Sequence, residues 1–542
     1  MPKYIFVIGG VMSGVGKGAA TASIGRILQG YGYSVTAIKI DPYINVDAGT
    51  MNPVEHGEVF VTDDGDETDQ DIGNYERFLN IDIHSVNYMT TGRVYQTVIN
   101  RERNLEYKGK CVQVVPHIPQ EIRERIERAV AKTKAEIMVI EIGGTVGEYE
   151  NLLFLEAARV MKLYNPDDVL FVIVSYLPIP DKIGEMKTKP TQHAVRNLQG
   201  AGIQPDFLIA RSERPVDQAR KDKLSINCNI PAENVISAPD ADSIYDIPLN
   251  FEKDDLSARI LEKFELPLRH RSNNVEWKKM VAASKTAAPV VNIGIVGKYF
   301  ASGDFSLGDS YISVIEAIKH ASAAMKCKTK IHWLSAEDVE KKGTSVLKGM
   351  DGIIVPQGWG GRGAEGKIKT IQYCRENEVP YFGLCYGMQM AVIEFARHVA
   401  GLKDANSAEV DPKTANPVIH IMPGQAQLIK EKGYGGTIRL GGWPCHLVAK
   451  THLAKAYEKF TPKKTVSERH RHRYEFNNDY RAKFQELGLI VAGTSPDGEI
   501  VEAIEIAGHP FFIGVQFHPE YISRPLAPHP LFVKFVRACK SK

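Results

Sequence analysis

The sequence lacks the features that would place it outside the ordinary globular proteins. Its 67 basic and 65 acidic residues leave a formal net charge of only +2, which gives no electrostatic reason to expect a general nucleic-acid-binding protein. No run approaches the roughly 18–20 apolar residues of a membrane span. The first residues also lack the long apolar stretch and cleavage site of a signal peptide. We therefore expect neither nucleic acid nor a membrane among the partners.

Cysteine is sparse, and no two cysteines form a CxxC pair. The seven residues are Cys111, Cys228, Cys327, Cys374, Cys385, Cys445 and Cys539. An odd, scattered set in a large chain favours reduced thiols, so we expect a cytoplasmic protein. The chain has 542 residues, of which 43% are apolar and 24% charged. This is the balance of a folded protein, and the length predicts two or more domains.

Short apolar runs alternate with amphipathic segments, which predicts α/β domains with mostly parallel sheets covered on both faces. The runs of the first half are 4–8, 35–40, 137–142, 169–174 and 207–210, with helices predicted at 19–29 and 152–164. The second half has predicted strands at 290–296, 329–334, 352–355, 380–384, 500–506 and 511–517, and helices at 309–325, 365–377 and 387–397. The sequence therefore predicts two α/β domains in tandem.

The character of the chain changes between the two halves. Residues 267–288 contain Pro, Asn and Ala among basic residues, and we interpret them as a linker with a helix near 277–284. A surface helix of the first domain is the alternative interpretation. The predicted domains are therefore 1–266 and 289–542.

A glycine-rich segment, GGVMSGVGKG at residues 9–18, lies between the first predicted strand and a helix. Glycines let backbone amides approach a polyphosphate, the helix N-terminus adds positive potential, and Lys17 supplies charge. The segment differs from the standard P-loop because five residues rather than four separate Gly10 from Gly16. Gly18 also stands where Ser or Thr would hold magnesium. The pattern predicts a phosphate-binding loop that obtains its metal ligands elsewhere.

Three acidic residues are candidates for that role. Asp41 ends one predicted strand and Glu141 lies near the end of another, and the carboxyl ends of such strands meet at one sheet edge. Asp71 lies in the acidic loop 63–71. Two carboxylates together with phosphates suffice for magnesium, which retains several waters. A solvated loop carboxylate is the alternative for any one of them.

Cys385 stands between a predicted strand and a helix, with Gly383 and Gly387 on either side. This spacing is typical of a strained turn that projects a nucleophile, and a helix N-terminus favours thiolate. Taken alone, Cys385 is equally compatible with an inert buried thiol. His518 and Glu520, after a strand near the C-terminus, supply a base and a group that orients it.

A second glycine-rich segment, PQGWGGR at 356–362, offers backbone amides for a developing oxyanion. Together with Cys385, His518 and Glu520 it predicts acyl transfer through a thioester.

Several long segments resemble the CTP synthase family, which aminates UTP to CTP with glutamine as nitrogen donor. The segments are 39–45, 56–60, 141–147, 187–193, 469–475 and 516–520, and the resemblance spans nearly the whole chain. It implies a P-loop-like Rossmannoid amidoligase domain followed by a class I glutamine amidotransferase domain. ATP would phosphorylate the 4-oxygen of UTP, and ammonia released from glutamine would pass internally between the domains, with His56 as a candidate lining residue.

The resemblance also implies nucleotide and metal ligands. Those for ATP are Ser13, Gly14, Val15, Gly16, Lys17, Gly18, Lys39 and Asp71, and those for magnesium are Asp71 and Glu141. Those for UTP are Ser13, Lys187, Thr188, Lys189, Pro190, Thr191, Gln192 and Lys223, and the inhibitor CTP would add Glu148, Tyr149, Glu150 and Arg159. Tyr149 is bulkier than the aliphatic residue that we expect there.

For the glutaminase, the resemblance implies Cys385 as nucleophile, His518 as proton relay and Glu520 as its orienting group. The residues implied for glutamine are Gly358, Tyr386, Gly387, Gln389 and Arg473. GTP would activate this half. The cationic stretch 469–473 would couple glutamine binding to it, unless that stretch is only a solvated charge run. The family also implies a homotetramer, and filaments are compatible with it.

One departure lies in the oxyanion segment, where Gln357 replaces an expected glycine. If this position needs a positive φ, the side chain is costly. We expect a working glutaminase with altered activity. The alternatives are a related amidotransferase-linked ligase, such as a cobyrinic acid amidase, and a non-enzymatic ATP-dependent switch or scaffold protein. UTP binding discriminates against the first, and the intact Cys385, His518 and Glu520 argue against the second.

Overall fold

The computed structural model describes residues 1–182, 184–270, 274–286, 288–299, 301–302, 305–306, 309–422, 425, 436–458 and 464–541. They form two compact units, one of residues 1–47 and 71–281 and the other of residues 48–70 and 282–542. Residues 271–273 and 287 of the predicted linker lie outside the described part. The segment 48–70 is thus separated from the sequence around it and belongs to the second unit.

The first unit contains a seven-stranded sheet in which every neighbouring pair is parallel. In spatial order its strands are Tyr88–Thr90, Val35–Asp41, Ile137–Ile142, Lys3–Gly9, Val169–Tyr176, Phe207–Ser212 and Val235–Pro239. The near-continuous apolar runs arise because both faces are buried. Phe6 and Ile8 enter one core, while Ile5 and Val7 enter the other. The predicted parallel α/β fold is confirmed.

Helices cover both faces of this sheet. They are Lys17–Gln29, Gln70–Leu79, Thr91–Arg103, Val114–Thr133, Leu152–Tyr164, Lys189–Gly200, Gln218–Cys228, Ile247–Phe251, Leu256–Lys263 and Val275–Lys285. In the last of these, Trp277 is fully buried and its indole donates a 2.9 Å hydrogen bond to the carbonyl of Tyr245. Its ring also packs 5.3 Å from that of Phe78. Much of the helix predicted near 277–284 therefore packs within the first unit.

The second unit is built on a nine-stranded sheet. In spatial order its strands are Lys328–Ser335, Val290–Gly297, Gly352–Val355, Tyr381–Leu384, Phe512–Val515, Val501–Ile506, Leu489–Thr494, Arg439–Leu447 and Thr465–His472. The first five pair in parallel, and the remaining connections are antiparallel. Alternation in the sequence predicted the parallel half, whereas the antiparallel extension emerges only from the observed strand order.

The second unit also contains short sheets and helices. Its further strands are Phe60–Val61, Glu67–Thr68, Ala301–Ser302, Phe305–Ser306, Ala405–Ser407, Asn416–Ile421 and Tyr474–Phe476. Its helices are Pro53–His56, Ile312–Ala324, Ala336–Lys342, Ala364–Glu376, Tyr386–His398, His452–Tyr457, Arg481–Glu486 and Pro530–Lys540. Within the described ranges, no helix of either unit has the length and apolar character needed to cross a membrane.

Candidate active sites

Cys385 lies in a sharp turn between the strand Tyr381–Leu384 and the helix Tyr386–His398. Its backbone has φ 51° and ψ −100°, a conformation that residues other than glycine rarely adopt. The Cys385 amide donates a 2.7 Å hydrogen bond to the carbonyl of Val515 on the neighbouring strand. The strained turn therefore places the thiol at the N-terminal end of a helix, as expected for a nucleophile elbow.

The two flanking glycines are required by close backbone packing. A Cβ at Gly387 would lie 2.0 Å from the carbonyl oxygen of Val355. A Cβ at Gly383 would lie 2.6 Å from the hydroxyl of Tyr381. A Cβ at Gly383 would also lie 2.9 Å from the backbone carbonyl carbon of Gly387. A side chain at either position would force its neighbours to shift, so close packing favours glycine on both sides of Cys385.

His518 and Glu520 form a buried pair beside this turn. Nδ1 of His518 lies 2.7 Å from Oε1 of Glu520. Burial opposes a charged imidazole, but the Glu520 carboxylate and the Cys385 thiol outweigh it and raise the pKa of His518 to about 10. The ring of Tyr521 stacks on the imidazole, with centroids 4.9 Å apart and planes 13° apart. The imidazole is thus fixed on one edge by a carboxylate and on one face by an aromatic ring.

The thiol also has two polar neighbours, Arg471 on the edge strand Thr465–His472 and Gln516 directly after the strand Phe512–Val515. Its sulfur lies 3.7 Å from the carbonyl oxygen of Arg471, and Nε2 of Gln516 lies 3.5 Å from that sulfur. The other ring nitrogen of His518, Nε2, is buried and has no hydrogen bond of ordinary geometry among the described residues. Because catalytic hydrogen bonds in ligand-free enzymes are often long, this nitrogen remains suited to exchange a proton with the thiol or a leaving group.

Two lysines and a glutamate form hydrogen bonds to the backbone of the loop 356–360. Nζ of Lys367 donates to the carbonyl of Pro356 at 3.0 Å, and Nζ of Lys298 donates to that of Gly360 at 3.2 Å. Burial lowers the pKa of Lys367 well below its usual range and that of Lys298 to about 8. Glu409 accepts a 2.7 Å hydrogen bond from the Gly360 amide. These contacts tie down the backbone that would supply an oxyanion donor.

Gln357 does not have a positive φ, so its side chain causes none of the strain considered above. Its side-chain amide instead donates a 3.2 Å hydrogen bond to Glu58, a residue 299 positions earlier in the sequence. Glu58 belongs to the segment 48–70 of the same unit.

The residues predicted to bind glutamine surround the same turn. The Tyr386 hydroxyl donates to the carbonyl of Gly360 at 2.7 Å. Gln389 donates to Tyr474 at 2.9 Å and is 3% exposed, so its amide is already occupied. Arg473 is buried, and its Nη1 has no hydrogen-bond partner among the described residues. This guanidinium nitrogen is therefore suited to a carboxylate ligand.

Glu409 was not identified from the sequence, which offers only a lone acid in a loop. Burial raises its pKa, against the opposing effects of the Gly360 amide and Lys298. Burial raises the pKa of Tyr474, Glu409 adds to that shift, and Arg473 opposes it. Opposite charges near one tyrosine match an amino acid, which carries an ammonium and a carboxylate.

The stretch 469–473 is not a solvated charge run, because Arg469 is only 1% exposed and Arg473 is 6% exposed. Nη1 of Arg469 donates to the carbonyl of Val61 at 3.1 Å, and Nε of Arg471 donates to Glu67 at 2.8 Å. These arginines therefore bind the hairpin of segment 48–70 to the sheet of the second unit. The segment thus supplies a hydrogen-bond acceptor to each of these two guanidinium groups.

In the first unit, Lys17 begins the helix after the glycine-rich loop and donates to the carbonyl of Gly144 at 2.8 Å. Burial lowers the pKa of Lys17, although Glu141 opposes the shift. A Cβ at Gly18 would lie 1.9 Å from Oδ1 of Asp71. A serine or threonine at position 18 would therefore force the Asp71 carboxylate to move, because that carboxylate fills the space that the new side chain needs.

The candidate metal ligands converge on one ammonium. Nζ of Lys39 lies 2.5 Å from Asp71, 2.9 Å from Glu141 and 3.6 Å from Asp41. Burial raises the pKa of Glu141 and of Asp41, whereas Lys39 outweighs burial and lowers the pKa of Asp71. Tyr75 donates a 2.5 Å hydrogen bond to Glu141. Carboxylates that share one cation have the oxygen chemistry and proximity that suit magnesium.

The helix Lys189–Gly200 brings part of the predicted UTP set to the glycine-rich loop. A Cβ at Gly10 would lie 2.8 Å from that of Ala194 on this helix. Thr191 is hydrogen-bonded to Ser175 at 2.8 Å, and Gln192 donates to Thr188 at 3.1 Å. The N-terminus of this helix is thus held beside the glycine-rich loop, where its backbone amides favour binding of a phosphate group.

Other predicted nucleotide residues have local partners. Lys187 pairs with Glu185 at 2.6 Å, and Arg159 pairs with Glu156 at 2.8 Å. Glu148 accepts a 2.9 Å hydrogen bond from the amide of Thr145, and Tyr149 is 89% exposed. The structure does not pair Arg159 with Glu148.

Lys189 and Pro190 lie in the first turn of the helix Lys189–Gly200, Lys223 lies in the helix Gln218–Cys228, and Glu150 and Ser13 are exposed.

The sequence analysis did not identify a cleft that lies beside the glycine-rich loop. The cleft has a cavity volume of about 200 Å³ and is lined by Gly16, Ala20, Arg211, Ala238, Ile244 and Phe251 among others. Nη1 of Arg211 donates to the carbonyl of Val15 at 3.3 Å, and Nη2 donates to Asp240 at 2.6 Å. Arg211 carries no motif in the sequence, so only its place at the end of a strand beside the loop reveals it.

Comparison with known proteins assigns a family to each half of the chain. Residues 3–266 match the family described as CTP synthase N-terminus, and residues 306–538 match glutamine amidotransferase class-I. A CTP synthase of Prochlorococcus marinus (strain MIT 9211) is 50% identical, over 100% of this chain and 96% of the relative. A CTP synthase of Caldanaerobacter subterraneus subsp. tengcongensis is 49% identical, over 99% of this chain and 98% of the relative.

A solved glutaminase domain of a Trypanosoma brucei CTPS, with bound acivicin, is 37% identical, over 46% of this chain and 94% of that domain, with a TM-score of 0.42.

Proposed function

The chain belongs to the CTP synthase family, and from this premise we propose how its residues divide the work of glutamine-dependent amination of UTP to CTP. The family activity makes it an enzyme of pyrimidine biosynthesis that uses UTP, ATP and glutamine. The observation that carries the residue assignments is the Cys385 elbow beside the buried pair of His518 and Glu520.

In the second unit, His518 takes the proton of the Cys385 thiol as the sulfur attacks the side-chain carbonyl carbon of glutamine. His518 delivers that proton to the departing nitrogen, the carbon–nitrogen bond breaks, ammonia leaves, and a thioester remains. His518 then takes a proton from water and the resulting hydroxide attacks the thioester. The carbon–sulfur bond breaks, glutamate is released, and His518 returns the proton to the sulfur. Glu520 keeps the imidazole in the orientation needed for both transfers.

The remaining glutamine contacts follow from charge. The Gly358 and Tyr386 amides are the proposed donors to the oxyanion, and Gly387 lets the helix approach closely. Arg473 is the proposed partner of the substrate carboxylate and Glu409 that of its ammonium group. Gln389 acts by positioning Gln516, to which it donates at 3.2 Å, and Gln516 in turn lies against the thiol.

In the first unit, the amides of residues 13–18 and the ammonium groups of Lys17 and Lys39 are the proposed ligands of the ATP phosphates. Asp71 and Glu141 are the residues that would hold magnesium, which neutralises phosphate charge when bound. The cleft beside Arg211 has a lining of polar and apolar groups suited to the base of ATP, and we assign the base to it. Phosphorylation of the 4-oxygen of UTP converts it into a good leaving group, which ammonia displaces.

UTP is proposed to bind along the helix Lys189–Gly200, with its triphosphate near Ser13, residues 187–192 and Lys223. The pocket for the cytosine of CTP is assigned to Glu148, Tyr149, Glu150 and Arg159. Support comes from the position of the helix next to Gly10. Because Arg159 pairs with Glu156, nucleotide binding there requires that this ion pair rearrange.

Regulation and assembly are proposed from the family. GTP is the expected activator of glutamine hydrolysis, CTP the feedback inhibitor, and a cytoplasmic homotetramer the expected assembly, with filaments compatible with it. Domain bounds of 1–266 and 289–542, joined by a linker at 267–288, remain our proposal for the functional halves. The matched ranges 3–266 and 306–538 support them.

The Cys385→Ala variant tests the assignment of the nucleophile. We expect CTP formation from UTP, ATP and glutamine to fall by at least about a thousandfold. CTP formation from UTP, ATP and ammonium should stay within about twofold of the wild-type rate. The measurement is the change in ultraviolet absorbance as UTP becomes CTP. Loss of both activities would mean that Cys385 is structural.

A further inference from the structure

Segment 58–60 touches the candidate glutaminase site at two points. Oε1 of Glu58 accepts the 3.2 Å hydrogen bond from Gln357 in the oxyanion loop. The carbonyl of Val59 accepts a 3.0 Å hydrogen bond from the hydroxyl of Tyr521, whose ring stacks on His518. The ring of Phe60 packs against the same tyrosine at 5.1 Å. One short segment therefore contacts both the oxyanion loop and the stacking partner of the imidazole.

Glu58 is a firmly held anchor. Its side chain is 2% exposed, and its second oxygen, Oε2, accepts a 3.0 Å hydrogen bond from the amide of Ser313. Ser313 lies in the first turn of the helix Ile312–Ala324, where unpaired amides favour a negative charge. The Glu58 amide also donates to the carbonyl of Asp309 at 3.1 Å. A side chain that is hydrogen-bonded to Glu58 is therefore linked to the helix Ile312–Ala324 and to the turn that precedes it.

Gln357 controls the orientation of the peptide that follows it. The amide of Gly358, a proposed oxyanion donor, belongs to the peptide unit that begins at Cα of Gln357. A glycine at 357 would leave this unit free to rotate, whereas a side chain bonded to a buried carboxylate restricts it. The neighbouring carbonyl of Pro356 is held by Lys367, so position 357 is the remaining point of freedom on that side.

We propose that Gln357 is a positioning residue of the glutaminase, which aims the Gly358 amide at the oxyanion through its hydrogen bond to Glu58. The role rests on the proposed function of Cys385 and deepens it. The oxyanion develops only in the tetrahedral intermediate and the transition states on either side of it, and is absent from bound glutamine. Loss of the bond therefore lowers kcat for glutamine and leaves KM nearly unchanged. Use of ammonium, which bypasses the thioester, is unaffected.

The first test replaces the amide by an apolar group of similar length, Gln357→Met. We expect kcat for glutamine hydrolysis in the full-length enzyme to fall about tenfold or more, KM to change less than about twofold, and ammonium-dependent synthesis to persist. Gln372→Met is the matched control. It removes a 2.9 Å bond between an amide and a carboxylate on the surface of the helix Ala364–Glu376, and it should leave both activities unchanged.

The second test exchanges the two partners. Gln357→Glu alone places two carboxylates together and should reduce glutamine hydrolysis more than Gln357→Met does. The double variant Gln357→Glu with Glu58→Gln restores one donor and one acceptor, and it should recover at least about tenfold of that loss. Such recovery would show that the two side chains act through the bond between them, because unconnected positions would give additive losses. The unchanged KM and the persisting use of ammonium then distinguish positioning from a general loss of structure.

The outcomes separate this inference from the assignment of the nucleophile. Full glutamine-dependent kcat in Gln357→Met overturns the positioning role, and so does an exchanged pair no better than Gln357→Glu alone. If Gln357→Met loses both activities, the exchanged pair decides: recovery of glutamine hydrolysis supports the role and lack of recovery overturns it. Glutamine use that survives in Cys385→Ala would instead refute the proposed nucleophile, whatever Gln357 does.

Discussion

At the scale of single residues, several sites are set by distances too short for any other side chain. Gly18 is the clearest case, because the Asp71 carboxylate occupies the space of its missing Cβ. The usual serine or threonine of a P-loop would thus collide with the same acid that is proposed to replace it as a metal ligand. The departure from the standard motif and the carboxylates around Lys39 are two parts of one arrangement.

In the Gly18→Ser variant, the rate of CTP synthesis with glutamine and with ammonium should fall by about tenfold or more. The reason is that the new side chain displaces Asp71 from Lys39 and from the glycine-rich loop. Overpacking of this kind also costs about 1–3 kcal/mol of stability. Steady-state rates at varied magnesium concentration and urea unfolding measure the two effects. Gly200→Ala, where a Cβ meets open space at a helix end, is the control and should be harmless. Normal rates in Gly18→Ser would contradict the packing argument.

His518 predicts a pH dependence of stability. Its pKa is raised in the folded protein to about 10, above the usual value of about 6.5 for an unfolded chain. The stabilisation is therefore complete below about pH 6.5 and is lost as pH rises towards 10. His518→Gln should destabilise the enzyme more at pH 6 than at pH 10, as measured by urea unfolding at both pH values. A difference that grows with pH would show that the sign is wrong.

At the scale of secondary-structure elements, the nucleophile depends on a strand and a helix meeting at very short range. The helix Tyr386–His398 begins directly after Cys385, and the missing side chain of Gly387 lets it approach Val355. The helix position sets the direction of the thiol. Packing between elements, rather than the cysteine alone, thus determines the elbow.

Gly387→Ala should displace this helix from the strand Gly352–Val355, because its Cβ would lie 2.0 Å from the Val355 carbonyl oxygen. We expect a loss of about 1–3 kcal/mol in stability and a decrease of about tenfold or more in glutamine hydrolysis. Ammonium-dependent synthesis should be spared, since the first unit is untouched. Urea unfolding and the two synthesis assays test this, and unaltered glutamine hydrolysis would show that the elbow tolerates a side chain.

At the scale of the whole molecule, the compact units do not follow the order of the chain. Segment 48–70 lies within the predicted amidoligase range yet packs in the second unit, where it meets Arg469 and Arg471. Tyr521 likewise depends on the Val59 carbonyl. Removing the segment would leave these buried groups without their partners, which is costly.

A chain of residues 282–542 alone should therefore melt lower and hydrolyse glutamine about tenfold or more slowly than a matched chain that carries residues 48–70, joined to residue 282 by a long flexible linker. Thermal unfolding and glutamate release compare the two. Equal activity of the two chains would mean that the segment is dispensable for the glutaminase.

Local patterns in the sequence sufficed for much of this protein. Alternating apolar runs determined the strands and helices, since burial on both faces of a parallel sheet imposes them. The glycine-rich loop with Lys17, and Cys385 between two glycines, were recognisable because backbone conformation at a turn depends on nearest neighbours. The resemblance to a family supplied the expected partners.

Tertiary structure decided the contacts between residues far apart in sequence. Only the fold brings Glu58 to Gln357 and buries the arginines of 469–473 against segment 48–70. Only the fold places Arg211 beside the glycine-rich loop. None of these has a local signature, because each arises from packing between distant segments. Chain neighbours fix the shape of a turn, but the partner that a side chain meets in the core depends on every element packed around it.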